Sequence, residues 1–299
     1  MKDVEMKLFR NRPIDGRKTA CALAVAAWAF APQLASAEGG SPWLPIPGQL
    51  SLGVFDVEQS GSDAYIGNKK LPISGITGGA ASKYKRGTFG LRVDYGISDS
   101  LAFDATLAHA SVKVGGADSS SGLADTTLGL RWRVMDEYET PSRPTLTLRA
   151  GAIIKGNYDG AKLAAIGKAA NGLDVSAIVG KEFGSGVSLW GELGFQKRDS
   201  SVPTATYFEI GSRWRFAPKW NASLAYSDKK FGGSLDIGGA GFTPARFQQV
   251  REERSVIKLG LGYAIGGNQS IAVNFAKLVG GRNTVQDDSI LGLGYSYAF

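Results

Sequence analysis

The side chains best suited to chemistry are arginines at a spacing of two: Arg131-x-Arg133 and Arg213-x-Arg215. A guanidinium stays charged and meets carboxylates as a planar fork. In an extended strand, residues two apart share a face. Arg92 and Arg149 lie in similar alternating stretches, and Asp94, Asp104, Asp174, Glu192 and Glu209 supply opposite charge on the same faces, with Asn274 adding polarity. Two readings are open. The arginines form a basic constriction that selects anionic or polarisable solutes, or they pair with the carboxylates and fill space. Pairing is favoured for individual arginines, with Arg133 and Arg149 set near Asp104.

Catalysis has less to work with. His109 is the only histidine, and Ser111 shares its face. A nucleophilic serine needs a base and a group that orients the base. Val112-Lys113 follows the serine, no orienting residue is evident, and no enzyme is expected. Gly238-Gly239-Ala240-Gly241 does not open a helix after a strand, so it is no phosphate cradle. Asp287-Asp288 falls far short of a ligand set for a hard cation. No cofactor or metal is expected.

These side chains need strands to position them. Segments of alternating character fall near 49–58, 86–97, 100–112, 124–135, 144–155, 172–183, 186–196, 204–216, 219–228, 254–265, 268–278 and 288–299. In 206–216, Phe208, Ile210, Trp214 and Phe216 oppose Tyr207, Glu209, Gly211, Arg213 and Arg215. In 127–134, Leu128, Leu130, Trp132 and Val134 oppose Thr127, Gly129, Arg131 and Arg133. Short connections alternate with mostly longer ones at 59–85, 113–123, 156–171, 197–203, 229–253 and 279–287. Twelve strands with one-sided loop lengths describe an all-β, transmembrane antiparallel barrel with both termini periplasmic. In a soluble barrel the apolar face turns inward. In a membrane barrel it faces lipid, where a charge at mid-membrane costs about 2–4 kcal/mol. The arginine faces then line the lumen. Arg131, Arg133, Arg213 and Arg215 are expected low in it, with Arg92 and Arg149 higher.

The two ends of the chain choose the inverted form. Lys7, Arg10, Arg12, Arg17 and Lys18 precede an apolar run at 20–30, and Ala35-Ser36-Ala37 is a small-x-small cleavage signal. That order reads as a signal peptide over 1–37, followed by the barrel over 38–299. At the other end, 290–299 carries Leu291, Leu293, Tyr295, Tyr297 and Phe299 on one face. Aromatics belong at the lipid–water interface. The stretch resembles the closing strand of bacterial outer-membrane barrels, and that resemblance implies that Tyr295, Tyr297 and Phe299 signal to the barrel-assembly machinery.

The formal charge is +7, falling to +4 once residues 1–37, with six Lys/Arg and three Asp/Glu, are removed. That balance, with no basic helix carrying aromatics, points away from nucleic acid. Cys21, the only cysteine, lies inside the apolar run and leaves with it. Mean hydropathy is −0.08 with 41 Gly, as half-apolar, half-polar strands would average. The long connections 59–85 and 229–253 carry Lys69, Lys70, Lys83, Lys85, Arg86, Lys229, Lys230, Arg246, Arg251, Glu252 and Glu253, with Phe231, Phe242 and Phe247. They read as a solvated surface meeting lipopolysaccharide, or as aromatics that fold over the mouth and gate it.

Trp43-Leu44-Pro45, Gly48-Gln49-Leu50-Ser51-Leu52-Gly53, Tyr95-Gly96-Ile97-Ser98-Asp99 and Gly122-Leu123-Ala124-Asp125-Thr126-Thr127-Leu128-Gly129-Leu130-Arg131-Trp132-Arg133 resemble the outer-membrane MetA-pathway family of phenol degradation. The resemblance implies a barrel linked to uptake of small, often aromatic or hydrophobic, compounds. The expected function is a passive outer-membrane channel for aromatic, hydrophobic or anionic solutes, with Arg92, Arg131, Arg133, Arg149, Arg213, Arg215, Asp104 and Glu209 tuning the lumen. One alternative is a non-conducting structural or adhesion barrel that binds through its loops. Another is an interfacial lipid hydrolase at His109 and Ser111, whose spacing resembles that of outer-membrane phospholipases.

Overall fold

The computed structural model describes residues 41–199 and 201–299. The signal sequence and cleavage site expected over 1–37 lie outside the described residues. In chain order the strands are β1 (Leu50–Gly61), β2 (Asp63–Ile66), β3 (Lys69–Pro72), β4 (Tyr84–Ser98), β5 (Leu101–Val114), β6 (Asp118–Leu123), β7 (Thr126–Met135), β8 (Thr145–Ile154), β9 (Gly172–Phe183), β10 (Val187–Arg198), β11 (Ala205–Ala217), β12 (Trp220–Phe231), β13 (Glu253–Ala264), β14 (Gln269–Arg282), β15 (Val285–Gln286) and β16 (Ser289–Ala298).

Each barrel strand pairs antiparallel with the next barrel strand along the chain, β1 with β4 and β4 with β5, and β1 closes the ring by pairing with β16. β6 and β7 lie end to end beside β5, so the barrel is twelve strands around. The twelve expected strands are present within a few residues of their expected limits. The expected 59–85 loop is instead partly ordered: β2, β3 and β15 make a small second sheet at the long-loop end. Strands this short carry too little alternation to stand out in the sequence; β2 pairs with β3 as a hairpin and with Val285 and Gln286 on its other edge.

The alternation sorts as a membrane barrel requires. Phe89, Leu130, Trp132, Leu193, Ile210, Trp214, Leu293 and Phe299 stand exposed on the outside, while Asp94, Asp104, Arg131, Arg149 and Asp174 are buried inside. Backbone polar groups are satisfied strand to strand and the ring has no open edge, which is what lets strands cross lipid. Among the described residues no helix is long and apolar enough to cross a membrane. Both described ends of the chain sit at the short-turn end: the Phe299 amide donates to the Leu50 carbonyl (2.8 Å) and the Gly48 amide to Gly96 (2.8 Å).

Candidate functional site

The lumen is the candidate site, and three features shape it. The first is a belt of alternating charge along one wall. Arg92 pairs with Asp94 (2.9 Å), and Asp94 with Arg131. Arg131 reaches Asp104 (3.4 Å), Asp104 holds Arg149 (2.8 Å), and Arg149 holds Asp174 (2.8 Å). Gln196 continues the chain, donating to Asp174 (2.7 Å) and accepting from Lys229 (2.7 Å). Charges this deeply buried persist only when paired and hydrogen-bonded. Glycines opposite make room: a Cβ on Gly129 would stand 2.6 Å from Arg149 Nη2, and the rings of Phe55, Tyr207 and Trp190 occupy the space above Gly90, Gly194 and Gly211. On this wall the luminal glycines are sockets for neighbouring side chains.

The arginines are placed differently from the expectation. Arg149 is the cross-strand partner of Arg131, so it lies level with it. Arg133 is bonded to Asp136 at the short turn (3.0 Å) and is not paired with Asp104. Arg213 and Arg215 line a separate recess with Glu182 and Ser188. The four expected lower arginines therefore divide between belt, turn and recess, because register across β7, β8 and β11 fixes their neighbours.

The second feature is the segment leading into β1. Trp43 is 4% exposed, inside the short-turn end of the barrel. Its indole donates to Glu137 (2.8 Å). The Thr147 hydroxyl donates to the Pro42 carbonyl (2.6 Å), and Arg131 to the Ser41 carbonyl (3.3 Å). A Cβ on Gly180 would lie 2.5 Å from Pro42 Cγ. The sequence marks this Pro-rich stretch as non-strand, but its seat in the lumen depends on contacts up to 105 residues away.

The third feature is a pair of cavities opening from the long-loop end. Each holds about 260 Å³, and they share Arg86, Gly167, Lys168, Glu252 and Arg254 as walls. The 155–171 connection folds over the lumen. Lys168 pairs there with Glu252 (2.9 Å) and stands 4.6 Å from the Phe231 ring centroid. Tyr158 and Arg198 both donate to Asp125 (2.5 Å each). Burial of the Tyr158 hydroxyl, then the Asp125 charge, raises its pKa. Phe247 lines the upper cavity and packs edge-on to Phe242 at 5.1 Å. Glu209, in the lower cavity, accepts from Lys258 (2.6 Å) and from the Trp190 indole (3.2 Å).

His109 is exposed on the outer face and Ser111 is half-buried beside it. Tyr295, 37% exposed, and Phe299, 69% exposed, also face out, and the Tyr297 and Phe299 rings are 4.6 Å apart.

The comparisons fit this architecture. Residues 73–293 match the family model described as "Putative MetA-pathway of phenol degradation". The chain belongs to this family. The COG4313 outer membrane channel from Pseudomonas putida F1 has the same fold, at a TM-score of 0.67 and 16% identity over 89% of this chain and 99% of that one. A KdgM porin in complex with disordered oligogalacturonate matches at 0.49, and the CymD monoaromatic hydrocarbon channel at 0.43, each 8% identical. They cover 83% and 85% of this chain and 99% and 89% of theirs. No curated protein matches. Family and closed, apolar-sided barrel together make this MetA-pathway protein a β-barrel of the bacterial outer membrane.

Proposed function

We propose that the barrel passes small solutes across the outer membrane by diffusion, entered from the long-loop end, with the short-turn end facing the periplasm. The observation that carries this is the pair of adjacent cavities, with five lining residues in common, set between the long loops and the barrel wall. Arg92, Arg131 and Arg149 are matched by Asp94, Asp104 and Asp174, so the belt holds the wall and contributes little net charge. We read Arg213 and Arg215, which line a recess at the short-turn end with Glu182 and Ser188, as the residues that set charge preference.

The test is single-channel conductance of refolded protein in a planar bilayer under a salt gradient. Small steady currents with anion preference are expected, and Arg213→Gln with Arg215→Gln should move the reversal potential toward cations. An unmoved potential removes both from the mechanism. The buried Trp43 segment gives the second reading, a non-conducting structural barrel, its observation. Silence from folded protein that also lacks residues 41–45 would establish it. At the outer surface we read lipid and lipopolysaccharide as the surroundings, and Tyr295, Tyr297 and Phe299 as the signal to the assembly machinery.

A further inference from the structure

We infer that the upper cavity is a binding site for a small organic carboxylate with an apolar body, an inference that rests on the channel reading and names its solute class. The walls divide into two chemistries. Ile73, Ile76, Leu163, Ile166, Phe247 and Val250 form an apolar chamber. Its charged residues are Arg86, Lys162, Lys168 and Arg254 against the one carboxylate Glu252. Two of these cations are already matched, Lys168 by Glu252 (2.9 Å) and Arg254 by Asp287. Lys162 is exposed at the rim.

Arg86 is different. Its guanidinium donates to the Thr88 hydroxyl (3.2 Å) and to the Ile166 carbonyl (2.8 Å), both neutral. Among the described residues no carboxylate lies within ion-pair distance of it. It is half-buried and lines both cavities. A guanidinium held in place by neutral acceptors beside an apolar chamber complements a carboxylate on a ring. The fork takes the carboxylate, and the walls take the apolar body. A cavity of about 260 Å³ lies near the low end of ligand pockets, roughly 300–1,000 Å³, which limits the guest to about one ring. A neutral ring gains the walls alone, and inorganic phosphate gains the charge alone.

Isothermal titration of the refolded barrel with benzoate, benzyl alcohol and inorganic phosphate tests this. Benzoate should bind at least tenfold tighter than either of the others. Arg86→Gln should lower benzoate affinity at least tenfold and leave benzyl alcohol unchanged, and Arg86→Lys should restore part of the loss. Heat-modifiable mobility checks that each variant is folded. Equal affinity for benzoate and benzyl alcohol, no binding of benzoate, or an unaffected Arg86→Gln variant overturns the site. Bilayer current separates the two readings. Conductance without benzoate binding keeps the channel and rejects the site, while binding with a silent bilayer keeps the site and rejects the channel.

Discussion

Arg149 is the residue on which the luminal belt turns. It holds Asp104 and Asp174 at once, with a side chain only 2% exposed. Replacing it with Met takes the closest cation from two buried carboxylates, and breaking a buried pair in this way costs about 3–5 kcal/mol. The urea midpoint of refolded Arg149→Met should fall by a corresponding amount. Adding Asp174→Asn should recover much of the loss, because the belt then keeps Arg92 and Arg131 against Asp94 and Asp104. Gly129→Ala presses the same guanidinium from the other side, and overpacking of this kind costs about 1–3 kcal/mol. A midpoint unmoved by either single change would mean the belt is not structural. The inward direction of these residues is legible in the sequence, because side-chain direction follows the local two-residue period. Their partners are not: Arg149 meets Asp104 from 45 residues away, and only the register between strands decides that. The same holds for Arg86, which reads as one of several loop cations until Ile166 is brought against it.

The connections between strands act as elements in their own right. Lys168 and Glu252 tie the 155–171 connection to the 232–252 connection across the mouth. Burial pushes the Glu252 carboxyl upward, but the Lys168 and Arg254 charges outweigh it and hold its pKa at about 2. Folded, the group therefore binds its proton more weakly than in the unfolded chain, where a glutamate titrates near 4.3. The tie is fully present above about pH 4.3 and is lost as pH falls toward about 2. Amide exchange in 155–171, corrected for the intrinsic pH dependence, should rise across that window, and Glu252→Gln should remove the step. A flat profile in the unmodified protein would reject the tie. Strand limits were readable because each membrane strand repeats its alternation over about ten residues. The loop architecture was not, since β2 and β3 are four residues each and β15 joins them only through long-range pairing, as Val285 with Ala64.

At the scale of the whole barrel, the short-turn end is narrowed by two groups that stand side by side. Trp190 is the register partner of Gly180 on one side and Gly211 on the other. Its ring lies over Gly211, while Pro42 and Trp43 lie over Gly180. Tryptophan and leading segment thus share one cross-section from adjacent strands, which makes them two parts of a single constriction. Parallel obstructions and serial ones behave differently. If the two were in series, their resistances would add, and the double change would raise conductance by more than the sum of the single changes. In one cross-section, each removal widens the same opening. Trp190→Ala and deletion of residues 41–45 should each raise single-channel conductance, and together their increments should add. A combined rise well above the sum of the single ones would place the obstructions at different depths and break the reading of a single gate at this end.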